Sequence, residues 1–147
     1  RLWNHHVLDA MTRGDVDADL DGSLDGPDDR RGDPSLAARL DFIALNYYGP
    51  AVVVPLGSSS APITGAPSQN DLERWGLDLP KSDFGWGLQA QGLRETLDEL
   101  RPYRLPIYIT ENGVADRADA LRPRFLIDHL GALALHHLGH AGIGPEC

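Results

Sequence analysis

The sequence predicts a parallel α/β fold, sheet or barrel, on three observations. Helix-like and strand-like segments alternate along the chain, two apolar runs have the length of buried strands, and each run ends in polar residues. Two strands alone leave two open edges, so the fold is expected to be incomplete on its own.

Residues 2–13 are expected to be helical. Leu2, Val7, Leu8 and Met11 lie near helical spacing, and Arg13-Gly14 supplies a basic last turn and a glycine stop. An acidic stretch from Asp15 to Pro34 follows, holding 8 of the 22 carboxylates. Ser35 reads as the N-cap of a short helix, Leu36–Leu40. Asp41–Leu45 is a short apolar run ending at polar Asn46, the pattern of a parallel strand buried on both faces.

Residues 49–82 carry Pro50, Pro55, Pro62, Pro67 and Pro80 and read as a long irregular connection, with one short strand at Val52–Val54. Structureless loops longer than about 15 residues in a compact domain are usually functional or mobile. Leu88–Arg101 is an amphipathic helix: Leu88, Leu93, Leu97 and Leu100 share one side, Arg94, Glu95, Asp98 and Glu99 the other, and Pro102 stops it. Leu105–Thr110 is the second buried strand. Residues 119–138 form the last helix, apolar at Leu126, Leu130, Leu133 and Ala134, and Gly139 to Gly144 end it.

The 147 residues suit one domain, and 13 Lys+Arg against 22 Asp+Glu give a net charge of −9. That balance argues against nucleic acid or an anionic membrane surface as partner, since a phosphate-binding face needs a basic excess. No apolar run approaches the roughly 20 residues that span a bilayer, so cytoplasm and secretion both stay open. Cys147 is the single cysteine, so no intrachain disulfide can form. The chain opens on Arg1 with no leader, which suggests a cut or incomplete chain.

Ligands of parallel α/β folds meet the carboxyl ends of the strands. Here one strand ends in Asn46-Tyr47-Tyr48 and the other in Thr110-Glu111-Asn112-Gly113. Glu111 is placed to act as an oriented nucleophile or base, with a tyrosine hydroxyl from the neighbouring strand holding its rotamer. The alternative is a carboxylate that caps the strand or pairs with a loop arginine.

Three segments, Asp41-Phe-Ile-Ala-Leu-Asn-Tyr-Tyr48, Ser82-Asp-Phe-Gly-Trp86 and Leu105-Pro-Ile-Tyr-Ile-Thr-Glu-Asn-Gly113, occur in the order and context of the later part of glycoside hydrolase family 1, the β-glucosidases and their relatives. The chain resembles that family over nearly its whole length, and Thr-Glu-Asn-Gly after an Ile/Tyr strand is its most specific element. The resemblance implies part of a (β/α)8 barrel, about strands 6 and 7 with their helices, spanning residues 1–147. It implies a retaining β-glycosidase in which Glu111 attacks the anomeric carbon and Tyr48 hydrogen-bonds that carboxylate. Asn46 would face the sugar, and Trp86 would line the leaving-group side or, alternatively, lie in the core beneath the loop. No organic cofactor is implied.

The chain also departs from the family. No Asn-Glu-Pro motif, the carrier of the acid/base carboxylate, occurs in the 147 residues, and the glycone-binding Gln, His-Trp and Glu-Trp motifs are absent. A retaining mechanism needs two carboxyls about 5 Å apart. Ala44 replaces a common glycine, and Gly87 and Gln89–Gln91 replace an acidic, Tyr-Pro-containing stretch. The expected partners are therefore a β-glycoside and the missing part of the barrel, in the same or a partner chain. An inactive truncated product is the alternative.

A second constellation lies in the acidic insertion loop, 15–34. Asp17, Asp19, Asp21, Asp25 and Asp28 fall at positions 1, 3, 5, 9 and 12 of the calcium-loop template, with Gly22 at 6. Such closely spaced carboxylates repel unless a cation neutralises them, so the loop is a candidate structural Ca²⁺ site, or the centre of a calcium-dependent interaction module. A solvated acidic loop is the plain alternative. His136 and His140 share a helix face but lack a third ligand, and with His5-His6 they read as packing or surface residues.

Overall fold

The computed structural model describes the backbone of residues 2–50, 55–56, 59–62 and 76–140, and the side chains of 5–50 and 76–139. The chain divides into two compact units, Arg1–Ala44 with Pro102–Tyr108, and Leu45–Arg101 with Ile109–Cys147.

In the first unit, helix α1 spans Leu2–Arg13 and ends as expected at Gly14. Gly14 has a φ of 77°, and a Cβ there would strike the Asp33 backbone, so no other residue closes this turn without strain. A polar cluster on α1 meets Tyr103, which is buried. Tyr103 Oη donates to Asp9 Oδ1 (3.0 Å) and lies 2.7 Å from His5 Nδ1, while the Arg13 guanidinium sits 4.8 Å above the ring.

The expected helix at Leu36–Leu40 does not form. Asp33, not Ser35, organises this stretch: its Oδ1 accepts both the Ser35 N–H (2.8 Å) and hydroxyl (2.6 Å), which hold its carboxyl below the usual range. Its carbonyl takes the Leu36 and Ala37 N–H groups in a single turn. Ala38 then adopts a φ of 55°, incompatible with a continuing right-handed helix.

Strand β1 (Ile43–Asn46) pairs with β4 (Ile107–Glu111). Ile43 N–H bonds Pro106 O (2.8 Å) and Tyr47 N–H bonds Glu111 O (2.9 Å). The bonds ascend in both segments, so the strands run parallel, as predicted. Burial on both faces is not found: Ile43 is buried but Ala44, Asn46, Tyr108 and Thr110 are exposed. A two-stranded sheet among the described residues has no layer against its second face.

Within the long connection, β2 (Pro55–Leu56) and β3 (Ser59–Pro62) pair antiparallel. The Pro- and Ser-rich composition hid this small hairpin; the strand expected at Val52–Val54 lies outside the described residues. Helix α2 covers Ala90–Leu100 and buries Leu93, Leu97 and Leu100, the side the periodicity marked. A 3-10 turn, Arg101–Tyr103, takes over at Pro102.

Helix α3 (Arg122–His140) begins later than residue 119 and buries a different face. Asp119 has a φ of 54°, and buried Asp116 caps the helix by accepting the N–H groups of Leu121 (2.6 Å) and Arg122 (3.0 Å). Burial alone raises the Asp116 pKa, but these N–H groups outweigh it and hold the carboxyl below its usual value. Its support for α3 is therefore present above the ordinary carboxylate range and withdrawn on acidification.

The inward stripe of α3 is Phe125, His129 and Ala132, whereas Leu126 and Leu130 are 45% and 65% exposed. Apolar residues encircle this helix, so periodicity alone cannot choose its buried side. His129 stacks on Phe125 at 3.8 Å, and burial lowers its pKa. His136 Nδ1 lies 3.0 Å from Asp98 Oδ1, and the side chain of His140 lies outside the described residues. Among the described residues, no helix is long and apolar enough to cross a membrane.

Candidate active site

Glu111 is the last residue of β4, and Tyr47 and Tyr48 directly follow β1. Because the strands run parallel and Tyr47 N–H bonds Glu111 O, both ends reach the same rim. Tyr48 Oη donates to Glu111 Oε2 at 2.8 Å. This bond raises the Tyr48 phenol pKa, with slight desolvation and the carboxylate charge acting in the same sense. Deprotonation would replace a strong charge-assisted bond with two adjacent anions.

Trp86 joins this pair, its ring 5.8 Å from that of Tyr48 in an edge contact. The turn that delivers it is tightly bonded. Ser82 N–H donates to Trp86 O (3.0 Å), Trp86 N–H to Ser82 Oγ (3.2 Å), and Gly85 takes a φ of 78° between them. Trp86 is half-buried, neither a core residue nor free in solvent. Phe84, which was not anticipated from sequence, stands 71% exposed with its ring 5.7 Å from Trp86. Asn46 is exposed on the rim, where its Oδ1 accepts from Thr110 Oγ1 at 2.6 Å. Asn112 was visible as part of a motif but not as a fastener: its Nδ2 donates to Tyr47 O at 2.7 Å.

Glu111, Tyr48 and Trp86 are thus brought together, with Asn46 held through its bond to Thr110. The arrangement offers an exposed, oriented carboxylate beside an aromatic wall, suited to an electrophilic carbon on a ligand with an apolar face.

The acidic loop is drawn differently from the template. An antiparallel bridge between Val16 and Arg30 closes it. Asp17, Asp19 and Asp21 place one carboxylate oxygen each within 4.8 Å of one another, and this is the one such group among the described residues. Asp25 and Asp28 stand outside it. Asp25 accepts from Ser23 Oγ, and Asp28 is exposed in the turn at Pro27. Asp29, which the template passes over, does the fastening by accepting Ala18 N–H (2.8 Å) and Gly26 N–H (2.6 Å). At Asp19, a bond from the Asp21 N–H lowers the pKa, but slight desolvation and the nearby Asp21, Asp29 and Asp17 carboxylates outweigh it, leaving it raised.

Residues 29–131 match the sequence profile of Glycosyl hydrolase family 1. The chain is 39% identical over 132 residues to a β-galactosidase of Sulfolobus acidocaldarius, covering 88% of this chain and 25% of that protein. It superposes on the β-glycosidase of Thermosphaera aggregans with a TM-score of 0.63 at 28% identity, over 90% of this chain and 26% of the other. For the β-glycosidase from Pyrococcus horikoshii the TM-score is 0.65 at 26% identity, over 96% and 29%. The chain spans about a quarter of the length of the curated relatives it matches. Its parallel strands and flanking helices are accordingly part of a (β/α)8 barrel, and the chain belongs to glycosyl hydrolase family 1.

Proposed function

We propose that this chain supplies the nucleophile of a retaining β-glycosidase, Glu111. Its carboxylate attacks the anomeric carbon of a β-glycoside, the glycosidic C–O bond breaks, and the leaving oxygen takes a proton from an acid carboxyl. Water then cleaves the glycosyl ester on Glu111, returning the sugar with net retention. The observation that carries this reading is the 2.8 Å bond from Tyr48 Oη to Glu111 Oε2, which fixes one oxygen and leaves the other for attack. Asn46 would face the sugar and Trp86 the leaving group.

The acid/base carboxyl belongs to barrel elements outside this chain, in the same polypeptide or in a partner. Phe42 and Tyr108 form an edge contact at 5.2 Å yet are 48% and 59% exposed, and Leu130, Leu135 and Leu138 stand exposed on α3. Apolar surface of this extent supports further elements covering it. The 147-residue chain alone is therefore expected to be inactive on an aryl β-glycoside. The reading is tested in a complete barrel carrying this segment, incubated with an activated 2-deoxy-2-fluoro-β-glycoside. The fluorine slows turnover of the ester, and peptide mass mapping should find one glycosyl unit on Glu111. Labelling of a different carboxylate would sink the assignment.

A second, smaller reading concerns loop 15–34. We propose that Asp17, Asp19 and Asp21 hold a structural Ca²⁺, with waters completing the six to eight oxygens that the ion takes. The close approach of their carboxylate oxygens supports this, as does the raised pKa of Asp19, whose ionised form is costly in the metal-free loop. Calcium at a hundredfold excess over its dissociation constant should stabilise the chain by about 2.7 kcal/mol. Asp19→Asn should lose that gain while melting higher than wild type in chelator. Absence of both binding heat and a melting shift removes calcium.

A further inference from the structure

Tyr47 lies behind the rim, 8% exposed, and takes no part in the chemistry proposed for Glu111. Its polar groups nevertheless tie the end of β1 to the frame of the site. The N–H donates to Glu111 O (2.9 Å), and the carbonyl accepts from Asn112 Nδ2 (2.7 Å). The phenol donates to Gln89 O (2.7 Å), one residue ahead of α2, and the ring lies 5.9 Å from that of His129 on α3. Burial pushes the phenol pKa up to about 12, so it remains a donor across the physiological range.

This seat exists because position 92 has no side chain. A Cβ on Gly92 would collide with Tyr47 Oη and pass 3.2 Å from Cζ. Tyr47 and Tyr48 are consecutive, with Cα atoms about 3.8 Å apart, so displacement of one carries the other. The Tyr48–Glu111 bond is 2.8 Å long, and lengthening it by about 1 Å abolishes it as a hydrogen bond.

We propose that Tyr47, seated over Gly92, is the positioning residue that sets the distance between Tyr48 and Glu111. This rests on the reading of Glu111 as nucleophile, because only then does that distance govern catalysis. Tyr47 acts through its main chain on Glu111 and through its neighbour Tyr48. Gly92 serves by leaving space.

The test uses the 147-residue chain labelled with ¹³C at tyrosine Cζ, with the Tyr48 titration followed by NMR. Glu111→Gln should lower the Tyr48 midpoint, since the charged acceptor is gone. Gly92→Ala should lower it in the same direction and to a comparable extent, because the displaced strand end separates the pair. Tyr47→Phe alone should have a small effect. The double variant Gly92→Ala/Tyr47→Phe should return towards wild type, because the oxygen that Cβ would strike is no longer there.

If Glu111→Gln moves Tyr48 but Gly92→Ala does not, the positioning role fails while the nucleophile reading stands. If Glu111→Gln leaves Tyr48 unmoved, the pair itself is absent and both readings fall. Should Gly92→Ala unfold the chain, a refolded double variant with Tyr48 restored supports the seat. A double variant no better than Gly92→Ala overturns it.

Discussion

Glu111→Gln, made in a complete barrel carrying this segment, should reduce kcat/KM for an aryl β-glycoside by at least about a thousandfold. Removing the nucleophile of a covalent mechanism typically costs several powers of ten, because the step it splits must proceed in one. The substitution is nearly isosteric, so Tyr48 and the strand end keep an oxygen to bond, and the loss reports nucleophilicity rather than folding. Glu111→Gly opens the same space to a small external anion. Azide should restore product formation, and the product should be the glycosyl azide of inverted configuration, since one displacement replaces two. Tyr48→Phe removes orientation but not the nucleophile and should cost less, about tenfold to a hundredfold. An enzyme indifferent to Glu111→Gln, measured by initial rates, would refute the role.

A tyrosine beside Glu111 was legible in the sequence from two local facts, and the resemblance to the family singled out Tyr48 over Tyr47. Apolar strands ending in polar residues place those residues on one rim, and parallel register brings the ends together. The same logic found the buried face of α2, where Leu93, Leu97 and Leu100 have a clearly polar opposite side. It failed for α3, where Leu126, Leu130 and Leu133 offered as good a stripe as Phe125, His129 and Ala132. There a partner chooses the face, and the partner is not encoded in the helix itself.

The acidic loop shows a similar limit. Spacing placed Asp25 and Asp28 on a template, but the turn at Pro27 and the bonds taken by Asp29 are set by backbone path. Tyr47 and Gly92 are 45 positions apart, and nothing local to either announces that one is shaped around the other. Motifs report the groups that react. The groups that hold them emerge only when distant segments meet.

Leu93→Ala should destabilise the chain by about 3 kcal/mol, within the 2–5 kcal/mol of large-to-small changes in cores. Leu93 is 1% exposed, the one large side chain below 2% among the described residues, so its removal leaves a cavity that α2 and α3 fill only by moving. Leu130→Ala is the informative contrast. At 65% exposure its loss should change the stability of this chain by no more than about 0.5 kcal/mol. In a complete barrel the same substitution should cost distinctly more, because neighbouring elements would then cover it. Urea unfolding separates the cases through the midpoint at constant slope. An unchanged midpoint for Leu93→Ala would mean that α2 is not anchored through this residue, and the Gly92 seat one position earlier would lose its rigid footing. A Leu130 effect equal in the chain and in the barrel would instead remove the argument that this face of α3 awaits a partner.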